Sequence, residues 1–232
     1  DVSIRSTLGK EYRNKTIGDG AGKGTANNSL NNFKSYTFQQ LLTWKKEFGK
    51  HNVEILAGHE NFSHEFQYLY GGKSYEIFAG NIELTNFTVM ESTDGYIEEY
   101  RTEGYLTRGR YNYDNKYFLE ASYRRDGSSK FHPDKRWGDF WSLGGSWTIT
   151  KEPFMSGISK YVNSLKLRAS YGEVGNDGGT ATSAGVPIVS YYSYMALYNM
   201  NQNGNRGALY KSQYEAPNLV WESQGSFGVG LD

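Results

Sequence analysis

Apolar and polar residues alternate with a period of two along much of this chain. In YLTRGRYNY, Tyr105, Thr107, Gly109, Tyr111 and Tyr113 fall on one side of an extended strand, and Leu106, Arg108, Arg110 and Asn112 on the other. YFLEASYRR repeats the pattern: Tyr117, Leu119, Ala121 and Tyr123 oppose Glu120, Ser122 and Arg124, with Phe118 out of step. SLKLRASYG sets Leu165, Leu167, Ala169 and Tyr171 against Lys166, Arg168 and Ser170. Phe227, Val229 and Leu231 alternate with Ser226, Gly228 and Gly230. Earlier, Tyr36, Phe38, Leu42, Trp44 and Phe48 mark a long strand, followed by one carrying Val53, Ile55 and Ala57. The pattern predicts about eight strands, at 1–12, 33–48, 51–67, 97–113, 117–126, 137–150, 163–174 and 219–232.

The connections fall into two kinds. FGKHN (48–52) and YDNKY (113–117) read as tight turns, with Gly, Asn or Asp where the chain reverses, and TKEPFMSGISKYVN could hold a short helix after Pro153. The alternate connections, near 13–32, 68–96, 127–136 and 175–218, are mostly long and rich in Gly, Asn, Ser and Tyr. Short turns at one end and long loops at the other is the layout of a transmembrane β-barrel, although a soluble β-sandwich or solenoid also alternates. Expected segments of 12 to 16 residues exceed the usual globular strand of about 5–6 residues and favour the barrel. Rings at strand ends (Tyr111, Tyr113, Tyr117 and Phe118, and separately Trp137, Phe140 and Trp141) suit interfacial girdles.

Composition sharpens this picture. Of 232 residues, 16% are aromatic, with 28 Gly and 4 Pro, which favours pleated structure. A formal net charge of zero supplies no long-range field for nucleic acid, so no nucleic-acid partner is expected. The absence of Cys rules out a disulfide framework and a thiolate metal site. No apolar run approaches the length of a membrane-spanning helix, a scan that barrel strands escape because they alternate.

Catalytic and cofactor motifs are weak. His59 and His64 in HENFSH are five apart and on a strand point to opposite faces, so no metal site is expected. GGKS at 71–74 has Gln67 where a phosphate-binding loop needs glycine, and GDGAGKG misses the dinucleotide fingerprint. Asp94, Glu98, Glu99 and Glu103 could supply a carboxylate pair for glycoside hydrolysis, but they read as solvated charge bounding a polar loop. Neither a catalytic role nor a cofactor is expected. The tyrosine-rich stretch 189–214 offers another possibility. Tyr191, Tyr192, Tyr194 and Tyr198 carry stacking faces and hydroxyls suited to a sugar or peptide, and are candidate substrate-binding residues. In RRDGSSKF, Arg124 and Arg125 are expected to close a strand, with Asp126-Gly127-Ser128-Ser129 starting a turn. Either arginine could pair with Asp126 or Asp134.

YFLEASYRRDGSSKFHPDKRWGDFWSLGGSWTITKEPFM followed by VNSLKLRASYGEVGN resembles the SusC/RagA family of TonB-linked (TonB-dependent) outer-membrane transporters of Bacteroidota. FGKHNVEILAGHE, YLTRGRYNYDNKYFL and NLVWESQGSFGVGLD carry the same likeness, in the family's order and over nearly the whole chain. The resemblance implies an all-β fold, an antiparallel transmembrane barrel of 22 strands plugged by an N-terminal domain. It further implies energy from the TonB complex, contact with outer-membrane lipid, a SusD-like surface lipoprotein as cap, and import of oligosaccharides or peptides. On that reading residues 1–232 are an interior part of the barrel domain, lacking the plug domain and the C-terminal strands. The alternative is a soluble β-rich carbohydrate-binding module.

Overall fold

A computed structural model describes residues 1–18, 22–157, 161–178, 182–183, 186–187, 190–203 and 206–232. Among these residues there is no α-helix, and none long and apolar enough to cross a membrane. The strands are β1 (Val2–Arg13), β2 (Thr25–Phe48), β3 (His51–Glu76), β4 (Phe87–Tyr113), β5 (Tyr117–Ser128), β6 (Trp137–Thr148), β7 (Lys166–Asn176), β8 (Thr182–Ser183), β9 (Val186–Pro187), β10 (Leu197–Asn203), β11 (Arg206–Gln213) and β12 (Glu222–Leu231). Eight of them form one sheet in the order β1-β2-β3-β4-β5-β6-β7-β12, and β8-β9 and β10-β11 form separate two-stranded ribbons. This up-and-down antiparallel order is that of a transmembrane β-barrel segment, as the alternation predicts. The chain divides into two compact units, one of Asp1–Thr37 with Phe62–Tyr100 and one of Phe38–Asn61 with Arg101–Asp232.

The first unit corrects two expected loops. Much of 13–32 and 68–96 is strand: β1 pairs with the first half of β2 from Val2↔Tyr36 to Arg13↔Thr25, while β3 runs on to Glu76 and β4 starts at Phe87. TANNSLNN lacks an apolar period because its Asn and Ser side chains find polar partners, as where Ser6 Oγ donates to Asn32 Oδ1 at 2.7 Å. Between β3 and β4, Asn86 is buried and stands in for backbone. Its Nδ2 donates to the Phe78 and Asn81 carbonyls at 2.8 Å each, and its Oδ1 accepts the Phe78 N–H. Phe87 and Ala26 are the buried apolar centre here, with the Tyr12 ring edge-on to Phe87. Tyr12 Oη and the Gly80 N–H both donate to Glu76 Oε1.

In the second unit the tight turns form as expected. Gly49 (φ 60°), Asp114 (φ 51°) and Asn115 (φ 53°) occupy the left-handed region that such reversals require. Lys50 Nζ donates to Asp114 Oδ2 at 2.8 Å, and that hydrogen bond holds the Asp114 carboxyl below the ordinary carboxylate range. Among its described residues the connection after β6 contains short 3-10 turns at Ile149–Lys151 and Pro153–Met155, the second beginning at the expected Pro153.

RRDGSSKF does not turn where the Asp-Gly pair suggests. Asp126↔Gly138 and Gly127↔Trp137 are still paired, and the Ser128 N–H donates to the Arg136 carbonyl, so β5 persists to Ser128. Gly127 serves close approach instead of positive φ, since a Cβ there would lie 3.0 Å from the Trp137 ring.

Candidate functional site

Register separates the second unit's sheet into two faces. On one face, Tyr111↔Leu119↔Gly145↔Ala169↔Val229 forms a cross-strand row, with Ala121↔Leu143↔Tyr171↔Phe227 beside it. These side chains are exposed in large part: Leu119 51%, Leu143 48%, Val229 63% and Phe227 74%. Rings border the band at both ends. Tyr113, Tyr117 and Trp147 stack in succession at one, and Tyr105 with Trp137 and Trp141 with Tyr171 stand at the other. From Tyr117 to Tyr123 the strand spans about 20 Å. A shallow cavity of ≈ 750 Å³ on this face is lined by Leu119, Leu143, Leu167, Trp141, Trp147 and Phe227.

The other face is polar. Arg110↔Glu120↔Gly144↔Ser170↔Gly228 and Arg108↔Ser122↔Ser142↔Gly172↔Ser226 are its central rows. Glu54 receives Lys45 Nζ at 3.0 Å, Arg108 Nη2 at 3.4 Å and Arg110 Nη1 at 3.9 Å, while Arg110 Nε meets Glu120 Oε2 at 2.6 Å. A cavity of ≈ 910 Å³ lies against this face, lined by Lys45, Glu54, Arg110, Glu120, Lys166 and Arg168. Such half-exposed pairs contribute little to stability, about 0–1 kcal/mol each, and present a wettable wall.

Two expected girdle rings belong to the polar face. Phe118 pairs in register with Asn112 and Ser146, and Lys166 Nζ sits 5.1 Å over its ring. Phe140 pairs with Arg124 and is buried under Trp221, at 5.5 Å between ring centroids. Strand parity decides both cases, because even-numbered residues of β5 and β6 face away from the apolar band. Arg124 bridges Glu60 and Asp126, each at 3.0 Å, as one of the expected pairings proposed. Arg125 approaches Asp139 at 3.9 Å, while among the described residues Asp134 meets no arginine and its N–H donates to His132 Nδ1.

A loop base stands where β5, β6, β7 and β12 end. Lys130, buried, donates to Asp177 Oδ1 at 3.2 Å, and Ser128 Oγ donates to Asp177 Oδ2 at 2.9 Å. Phe131 packs on Trp221 at 5.4 Å, and Trp221 Nε1 donates to the Arg136 carbonyl. Both stems of the long 178–220 connection, Asp177 and Trp221, are therefore fastened to the short 129–136 loop. The alternation could not have signalled this cluster, whose partners are 47 or more residues apart.

The candidate tyrosines divide over this base. Tyr191 lies 6.0 Å from Lys130 Nζ, and Tyr194 stands edge-on to His132 at 5.9 Å. The Tyr192 carbonyl accepts from Gln213 Nε2. Tyr198 is apart from them on β10, over Lys211 of β11 at 5.9 Å, and 57% exposed.

No protein-family model matches the chain. Curated relatives do. The TonB-dependent receptor P39 of Formosa agariphila is 28% identical over 100% of this chain and 22% of its own length, and P3 of the same organism is 29% identical over 99% and 22%. The TonB-dependent receptor SusC of Bacteroides thetaiotaomicron is 24% identical over 100% of this chain and 23% of its own. Among solved structures, that of the RagAB peptide transporter superposes with TM-score 0.84 at 23% identity, covering 99% of this chain and 25% of that one. This chain thus spans about a quarter of the length of the relatives it matches.

Proposed function

We propose that this segment of a SusC-like TonB-dependent receptor is a stretch of barrel wall through which a TonB-energised importer of the Gram-negative outer membrane passes oligosaccharides or peptides. The observation that carries the reading is the exposed apolar face running across β4, β5, β6, β7 and β12 between two rows of rings. A water-soluble module does not keep so continuous an apolar surface open, whereas hydrocarbon covers it without cost. This counts against the soluble carbohydrate-binding module.

In this account residues 1–232 belong to the barrel domain, and the opposite face lines the lumen. Its ion pairs among Lys45, Glu54, Arg108, Arg110 and Glu120 hold charge on the wall without blocking the passage. Arg108 Nε and Asn112 Oδ1 on this face are enclosed by neighbouring side chains and lack hydrogen-bond partners among the described residues. No residue is placed to perform covalent chemistry in this account. Tyr191, Tyr192 and Tyr194 near the loop base, with Tyr198 on β10, are the proposed substrate contacts. A SusD-like surface lipoprotein is the proposed lid, and its pairing with the receptor follows the name RagAB and the SusC relative.

The test is uptake by cells carrying or lacking the complete receptor gene, with and without a functional TonB. Labelled oligosaccharides and peptides serve as cargo, and an affinity tag on the receptor recovers any lipoprotein partner. Uptake that needs both receptor and TonB supports the reading. Uptake of the whole cargo panel unchanged by loss of either refutes it.

A further inference from the structure

The first unit carries an aromatic ladder that the lumen wall and the loop tyrosines do not include. Phe33 of β2 stacks on Phe66 of β3 with ring centroids 4.7 Å apart and planes 28° apart. Tyr96 of β4 meets the Phe66 ring edge-on at 5.9 Å and lies 5.3 Å from Tyr68, which is nearly parallel to Tyr70 at 6.4 Å. His64 adds a ring beside Phe33 at 6.2 Å. The β3 members, His64, Phe66, Tyr68 and Tyr70, are successive alternate residues, so one face of the strand presents rings over about 20 Å. They are half-buried, and Tyr96 is 46% exposed.

The polar groups beside the rings differ from those on the reverse of the same strands. On the reverse, Lys34 pairs with Glu65 at 2.9 Å, Asn32 Nδ2 donates to Gln67 Oε1, and Ser6 Oγ donates to Asn32 Oδ1, so side chains satisfy one another. On the ladder side, Arg5 pairs in register with Phe33, and Asp94 and Glu98 flank Tyr96 at alternate positions of β4. Among the described residues, Arg5 and Glu98 have no ion-pair partner, and Asp94 accepts a bond from the adjacent Gly95 N–H.

From this contrast we infer that Phe33, Phe66, Tyr68 and Tyr96, with Arg5, Asp94 and Glu98, form a binding platform for a neutral linear oligosaccharide. A pyranose has a C–H face that packs on an aromatic ring and hydroxyls around its rim that take carboxylate and guanidinium hydrogen bonds. Rings in file with carboxylates and an arginine at their side match both features at once. One cation against two carboxylates disfavours an anionic glycan. A peptide is a poorer match, because the face offers ring surfaces and side-chain groups and no row of free backbone donors and acceptors for strand addition. The inference narrows the importer reading to a glycan cargo and rests on that reading for its physiological meaning, although the platform itself does not.

The test is isothermal titration of the complete receptor, purified in detergent, with cellohexaose, xylohexaose, laminarihexaose and mannohexaose, and in parallel with a pool of decapeptides. At least one hexasaccharide binds the unsubstituted receptor. Phe66→Ala and Tyr96→Ala weaken it about tenfold or more, Tyr96→Phe keeps most of the affinity, and Lys34→Ala on the reverse face leaves it unchanged. Unaltered heat-modifiable gel mobility confirms that each variant is folded. The inference is overturned if no hexasaccharide binds, if Phe66→Ala and Tyr96→Ala bind as the unsubstituted receptor does, or if these variants lose peptide and not saccharide. TonB-dependent uptake is read separately. Uptake without hexasaccharide binding removes the platform and leaves the importer, and platform-dependent binding without such uptake does the reverse.

Discussion

Lys130 Nζ lies 3.2 Å from Asp177 Oδ1, and the two side chains are only 3% and 14% exposed. One end of the long loop is therefore tied to the β5–β6 connection by an enclosed ion pair. Removing one partner of such a pair leaves a charge without compensation and costs about 3–5 kcal/mol, whereas replacing both by apolar residues is often neutral. Lys130→Met is expected to speed hydrogen exchange at the Ser128 and Phe131 amides by about a hundredfold or more, because their bonds to the Arg136 and Ser128 carbonyls open with the base. Lys130→Met with Asp177→Leu should recover most of the protection. Unchanged exchange in the single variant would show that the pair does not hold the base.

Leu143 and Ser142 are neighbours on β6 that face opposite ways: Leu143 pairs with Ala121 and Tyr171 in the apolar band, while Ser142 Oγ lies 2.7 Å from Ser122 Oγ. Arginine on the lipid face near the midplane costs about 2–4 kcal/mol, and on a wet wall far less. Leu143→Arg should lower the unfolding free energy of the complete receptor in phospholipid bilayers by about that amount, and Ser142→Arg should leave it within about 1 kcal/mol. Denaturant titration measures both.

At the short-turn end, Glu152 gathers three donors: Tyr117 Oη at 2.5 Å, Trp147 Nε1 at 3.1 Å and Lys116 Nζ at 3.4 Å. The Tyr117 hydroxyl first, then Trp147 and to a lesser degree Lys116, hold its carboxyl below the ordinary carboxylate range against the opposing effect of burial. A carboxylate so lowered contributes stability that is complete above its unfolded value and is lost as pH falls through the folded one. The thermal midpoint of Glu152→Gln should therefore lie below that of the unsubstituted receptor at neutral pH, and the gap should close below about pH 4. A gap that persists unchanged to pH 3 would contradict this role.

Where one face of a strand is apolar and the other charged, the fold was legible in the sequence. Tyr105, Thr107, Gly109, Tyr111 and Tyr113 oppose Arg108 and Arg110 as alternation requires, and the register across β4, β5, β6, β7 and β12 continues both faces. Residues 25–32, 68–76 and 87–96 carry the signature of loops, since their polar and aromatic residues show no apolar period, although they lie in strands. Of the aromatic ladder, Tyr68, Tyr70 and Tyr96 fall in these stretches, while Phe33, His64 and Phe66 stand on expected strands without an alternation that marks them. Phe118 and Phe140 were assigned to the girdles by residue type, and parity places them on the wall opposite. Nothing local could announce Asp177 as the partner of Lys130, because the two are 47 residues apart and meet past the ends of β5 and β7, which are not neighbours in the sheet.

The opposed faces of the sheet are tested most directly by spin labels at successive positions of β5. This chain has no cysteine, so single Cys residues at 118 through 123 label cleanly in the complete receptor once any cysteine elsewhere is replaced. Collision rates in a lipid bilayer are measured with oxygen, which partitions into hydrocarbon, and with a water-soluble nickel chelate. Positions 119 and 121 are predicted to favour oxygen strongly, and 118, 120 and 122 not to, giving a period of two. Equal oxygen access at all six positions, or the opposite phase, would contradict the assignment of Leu119 and Ala121 to lipid and Glu120 and Ser122 to the lumen.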